Sequence, residues 1–178
     1  MPINKKTELV IERTFDPVRS RHSVNGVTHV LHCHHYVTLY TQLAEDCAFL
    51  DGKKLLREVS EDAFFHILSD YYRKNGIETI ADRITIGEQY YAFSGLGQMK
   101  VVCAGAGGGE VELLTSHVDA GWVKKFGQRD HAVNHVTCGY VSALFAAVFG
   151  VERRSFKVNE VASIVAGAER SRFEVVVS

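Results

Sequence analysis

Eight of the nine histidines fall into two windows, His22 to His35 and His117 to His135, leaving only His66 outside them. Imidazole titrates near neutrality and is the commonest nitrogen ligand for metals, so this clustering is the first chemical signal in the chain. His131, His135 and Cys138 recur at i, i+4 and i+7, which predicts one helical face, and a histidine pair at i, i+4 can chelate a divalent ion. The glutamate that follows the first histidine in zinc proteases is missing. Around His32-Cys33-His34-His35, a helical chain would align His29, His32 and His35, and an extended one His32 and His34. Packing of the first and last long helices side by side would join His32 or His35 to His131 and His135, a site for Fe, Zn or haem. The competing reading is ordinary: a solvated helix start for His131, an inert core thiol for Cys138, and imidazoles turned to water or carbonyls in the first window.

Other motifs are weaker. Gly105, Gly107 and Gly109 begin a dinucleotide fingerprint, but the last glycine spacing and any Gly-Lys-Ser/Thr are absent and a strand-like run follows, so no nucleotide cofactor is expected. Tyr71, Tyr72, Tyr90, Tyr91 and Phe93 suit either a ligand pocket or ordinary core. Lys124, Lys125 and Arg129 beside Trp122, with Arg153 and Arg154, form short basic patches of the kind that solvated surfaces carry. No serine or cysteine sits in a nucleophile motif, which leaves catalysis undefined.

The elements that would position these groups follow from periodicity. Glu8 to Phe15 alternates as a strand or extended arm before the turn-prone SRHSVNG. From Thr28, the apolar positions Leu31, Val37, Leu39, Tyr40, Leu43, Ala44 and Cys47 predict a helix ending near Asp51-Gly52. A second helix spans residues 53–74, with Ser60 as an inner cap and Asn75-Gly76 as its stop, and a third spans residues 78–93. QMKVVCAG and EVELLTSHV predict an antiparallel hairpin around the glycine tip. Asp130 to Phe149 predicts a buried helix ending at Gly150, and two β-branched runs joined through residues 166–170 predict two last strands.

The expected fold is therefore α+β, one domain over residues 1–178, with N-terminal helices packed on an antiparallel sheet and a long buried helix before two C-terminal strands. The chain has 178 residues, 46% of them hydrophobic, and a formal net charge of -1, so no basic field directs it to nucleic acid or anionic lipid. No run reaches the roughly 18 apolar residues of a membrane span. Four scattered cysteines and an opening without a signal-peptide core suggest free thiols and a cytoplasmic location.

Gly139-Tyr140-Val141-Ser142-Ala143, Gly150, Glu160, Ser163, Gly167, Ser171, Arg172 and Phe173 together resemble the 4-vinyl reductase domain family, whose helix motif GY-x-S-G is followed by E-x-x-C-x-x-x-G-x-x-x-C-R-F. The frame covers only the C-terminal third. The resemblance implies a pocket for a small hydrophobic, aromatic or tetrapyrrole-like ligand, often in a dimer. Aromatic-sensing members hold zinc with cysteines plus the strand glutamate. Here Ser163 and Ser171 stand at the strand cysteine positions and Asn134 or His135 near the helix one, so that site is not carried over.

The expected function is binding or sensing of such a ligand by a homodimer. Alternatives are a metal- or tetrapyrrole-dependent enzyme of vinyl reductase type and a dimeric tethering subunit. Any metal, Fe or Zn, would be held by imidazole from His32, His34, His35, His131 and His135, with the Glu160 carboxylate.

Overall fold

The computed structural model describes residues 7–30 and 32–178; the opening MPINKK and Leu31, one of the apolar positions of the expected first helix, lie outside them. The elements run β1 (Arg13–Asp16), β2 (Arg21–Val24), β3 (Val27–His29), α1 (His34–Asp46), a 3-10 turn (Ala48–Leu50), α2 (Gly52–Asn75), α3 (Ile80–Phe93), β4 (Gly97–Gly105), β5 (Gly108–Ser116), α4 (His117–Phe126), α5 (His135–Phe149), β6 (Phe156–Ala162) and β7 (Ser171–Val177). The class is α+β, as expected. One antiparallel sheet has the order β4-β5-β7-β6, and a separate small sheet is formed by β1-β2-β3.

Helix α5 is the organising element. All its residues from His135 to Val148 except Val136 are buried, and a helix that is apolar on every side needs cover on every side. The cover comes from α2 and α3 on one hand and β6 and β7 on the other. Tyr91, Tyr140, Phe145 and Phe173 are fully enclosed there, and Tyr71, Tyr72 and Tyr90 join the same core. Gly139 lets α2 and α5 approach: a Cβ at that position would lie 2.2 Å from the Arg57 carbonyl oxygen.

The glycine tip is explained by the hairpin. Gly105 pairs with Gly108 across the Ala106-Gly107 turn, and Gly108 has φ 129° with no room for a Cβ against the Val175 carbonyl. The turn between β2 and β3 is Asn25-Gly26, both at positive φ, the two-residue connection that matches strand twist. The Asn25 side chain also accepts from Glu12 N and donates to the Val10 carbonyl, tying the extended N-terminal arm to the small sheet.

Four boundaries and one cap differ from the sequence-based expectation. Residues 27–29 are a strand, so the first helix starts only at His34. Asp51 does not end that helix but starts α2, with its side chain accepting from Lys54 N. Ser60 lies inside α2 and donates to the Val136 carbonyl at 2.7 Å instead of capping anything. The strand expected through Val118 stops at Ser116, whose hydroxyl caps α4 by accepting from Asp119 N. The last helix begins at His135, five residues later than expected.

Candidate functional site

A cavity of about 690 Å³ opens between the small sheet and the corner where α3 meets β4. Its apolar wall is Val24, Val30, Phe93 and Leu96, and its polar groups include Arg13, His22, His29, His32 and His117, with no carboxylate in the lining. The positions follow from the fold: His22 faces His29 across the β2–β3 register, and His117 opens α4 with its N–H donating to the Leu96 carbonyl. Arg13 lies over the Phe93 ring, 5.2 Å from its centroid. His29 holds its Nδ1 at 2.9 Å from the Val27 carbonyl, which only accepts, so Nδ1 carries the hydrogen and Nε2 is left for another partner. His117 lies 6.2 Å, ring centre to ring centre, from both His32 and His34. Burial, then the neighbouring His32 and His34, hold its pKa below the usual histidine value.

Val24 also borders a second cavity of about 590 Å³, where Ile67, Tyr71 and Tyr90 meet Glu12, His66, Asp70 and Lys74. Its mixed charges distinguish it from the first.

The other two histidines of the second window, His131 and His135, serve a different centre. Glu45, near the C-terminal end of α1, accepts from His135 Nε2 at 2.6 Å and pairs with Arg129 at 3.0 Å and Lys53 at 3.1 Å. Burial alone would raise its carboxyl, but the bonds and charges of His135 and Lys53 outweigh this and keep it below the ordinary value. Burial likewise lowers His135, against the pull of Glu45. The pair is thus a carboxylate accepting from a neutral imidazole, and Arg57 Nε at 3.4 Å from His135 Nδ1 sets that tautomer.

A third centre lies between α4, α5, β6 and β7. The Asn134 side-chain amide donates to both Asp119 oxygens, at 3.0 and 2.9 Å, and to Glu160 Oε1 at 2.7 Å. Ser171 Oγ donates to Asp119 at 3.1 Å, and the buried Ser163 hydroxyl has no hydrogen-bond partner among the described residues. Burial raises the pKa of both carboxyls; Asn134 opposes the shift, and the Asp119 charge adds to it at Glu160. These are the positions where the resemblance would place a zinc ion. With hydroxyls for thiolates and N–H donors between the carboxylates, the residues present do not fit that ion.

The expected histidine convergence does not occur. His32 and His34 gather on His117 at one end of α1, whereas His131 and His135 gather on Glu45 near the other, roughly 16 Å along the axis at about 1.5 Å per residue. His35 stacks on His34, His131 precedes α5 instead of sharing its face, and Glu160 bonds to Asn134. Among the described residues, no three His, Cys, Asp or Glu side chains are placed to hold a metal ion. Sequence reasoning missed Glu45, Asp119 and the whole of α4, although Ser116-x-x-Asp119 followed by Lys124-Lys125 and Gly127 is a legible cap, dipole and stop.

All four cysteines are free, with Cys33 and Cys103 exposed and Cys138 buried. Burial pushes the Cys138 thiol up to about 12. A thiol titration of the native protein should therefore show Cys33 and Cys103 reacting fast, Cys47 more slowly, and Cys138 only on unfolding.

No family model matches the chain, and no curated protein is similar to it in sequence. Its fold is similar to that of the phenol-responsive sensory domain of the transcription activator PoxR, solved with phenol, at 13% identity and TM-score 0.76, covering 93% of this chain and 84% of that one. A vinyl-4-reductase family protein from Methanocaldococcus jannaschii matches at 15% identity and TM-score 0.55, covering 84% of each chain. A trafficking protein particle complex subunit 3 from Naegleria fowleri, covalently bound to palmitic acid, matches at 11% and 0.54, covering 82% of this chain and 94% of that one. The likeness therefore extends over most of the chain, not just its C-terminal third, and what it establishes is the fold.

Proposed function

We propose that the protein binds a small aromatic ligand in the 690 Å³ cavity under the small sheet and acts as a ligand-sensing module. The observation that carries this reading is the cavity's make-up. An apolar wall with an aromatic ring faces a few convergent polar groups, and the volume falls in the class that small ligands occupy. A fold shared with a phenol-responsive domain supports the same reading. Thermal unfolding with and without phenol, indole and benzoate tests it. A ligand at about a hundred times its Kd should raise Tm by roughly 5–10 °C for a chain of this size, and the absence of a shift with every compound would overturn it.

A second copy of the chain completes the proposal. Tyr36, Leu39, Tyr40 and Leu43 on α1 and Leu55 and Val59 on α2 are exposed, with Leu43 at 56%, an apolar surface that suits self-association. Light scattering should give twice the 19.8 kDa chain mass, and Leu43→Glu should halve it. A wild-type monomer across micromolar concentrations contradicts the dimer.

No helix among the described residues is long and apolar enough to cross a membrane.

A further inference from the structure

We propose that the ligand of the small-sheet cavity is an aromatic carboxylate bound as the anion, its ring against Phe93 and Leu96 and its carboxylate on the Arg13 guanidinium. The inference rests on the aromatic-ligand reading above and adds the headgroup.

The reason is the sign of the lining. Arg13 is the one permanently charged side chain on the cavity wall, four imidazoles accompany it, and no Asp or Glu offsets them. A carboxylate leaving water loses hydration that only charge-assisted hydrogen bonds can replace, and the Arg13 guanidinium is the donor on this wall that makes such bonds. A cationic amine would meet the Arg13 charge with no counter-charge in reach. A neutral ring would leave the polar half of the cavity without a matching group, which reduces affinity.

The neighbouring cavity behaves as an internal contrast. It has a comparable volume and two tyrosines, yet Glu12 and Asp70 stand on its wall and outnumber its one permanent cation, Lys74. An anion is repelled there by like charge, so the two cavities divide aromatic ligands by headgroup. The position of Arg13 adds specificity: its guanidinium already lies over Phe93, so a ring that seats on Phe93 carries its substituent toward the charge.

Calorimetric titration of the full chain with benzoate, benzamide and phenol, in wild type and Arg13→Gln, tests the proposal. Benzoate and benzamide share a shape and differ in charge. Benzoate should bind at least roughly tenfold more tightly than benzamide, and added salt should weaken it. Arg13→Gln should weaken benzoate by about tenfold or more and leave benzamide within about twofold. Arg13 is exposed on an edge of the small sheet, and the variant's unfolding temperature checks that the fold is intact. Equal or tighter binding of benzamide or phenol, or an unchanged benzoate affinity in Arg13→Gln, overturns the carboxylate assignment and leaves aromatic binding standing. Failure of all three compounds to bind removes both.

Discussion

Replacing Asn134 by Leu is expected to lower the unfolding free energy by roughly 3 kcal/mol at pH 8, because two buried carboxylates then face each other without their shared donor. Leucine keeps the branching and the heavy-atom count, so the loss reports the missing N–H groups and not a cavity. The amide reaches three carboxylate oxygens at 2.7 to 3.0 Å, and Asn134 is 1% exposed, leaving no path for water to substitute. The pH dependence has a definite sign. Asp119 and Glu160 have folded pKa values raised above the unfolded ones. Their stabilising contribution is therefore present below the ordinary carboxylate range and is lost as pH rises through the raised values. Removing Asn134 raises those values further, so the penalty should shrink as pH falls and one carboxyl takes up a proton. Urea unfolding of both proteins across this range measures it, and a penalty independent of pH would show that the carboxylates are not what Asn134 serves.

Gly139→Ala should be comparably severe. The added methyl would lie 2.2 Å from the Arg57 carbonyl oxygen, 2.7 Å from Ser60 Cβ and 3.0 Å from the Glu61 backbone nitrogen. Two of these are backbone atoms of α2, so no side chain can rotate away and the two helices must separate. Overpacking usually costs about 1–3 kcal/mol, with larger values where the backbone must move. We expect roughly 3 kcal/mol, seen as a fall in Tm of about 6–12 °C. Separation of α2 from α5 would also lengthen the 2.7 Å bond from Ser60 to the Val136 carbonyl. A variant as stable as the parent would mean that this helix crossing is looser than its geometry indicates.

The sequence was informative where local chemistry decides structure. The buried α5, the third helix and the glycine-tipped hairpin are legible because an apolar helix, a stop at Gly150 and a glycine turn each depend on neighbouring residues. The boundary at His34 was not legible from periodicity. Val27–His29 forms a strand only because Arg21–Val24 turns back on it at Asn25-Gly26, and the apolar spacing downstream does not show where helix begins. Helix α4 was concealed by the β-branched and apolar run that precedes it, since EVELLTS leads into His117 without an intervening proline or glycine.

The site was legible by residue type and not by partnership. Histidine clustering pointed to both regions, but which imidazoles share a space depends on non-local packing. His117 lies 83 or more positions from the histidines it joins, and His135 meets Glu45, 90 positions away. The substitution of serine for cysteine at residues 163 and 171 was visible in the sequence. What replaces the thiolates, an asparagine amide between two carboxylates, required the placement of Asp119 by a helix that periodicity did not reveal.

The measurement that bears most directly on ligand binding in the small-sheet cavity is the spectrum of ring-labelled histidines during titration with an aromatic ligand. The histidines divide by location: His22, His29, His32 and His117 line that cavity, His66 lines the other, and His131 and His135 sit at Glu45. An aromatic ring shifts nearby nuclei through its own field, so the pattern of movement identifies the cavity. The account predicts saturable shifts at His22, His29, His32 and His117, with His66, His131 and His135 unmoved. Shifts confined to His66, or no shifts at millimolar benzoate and phenol, would contradict it.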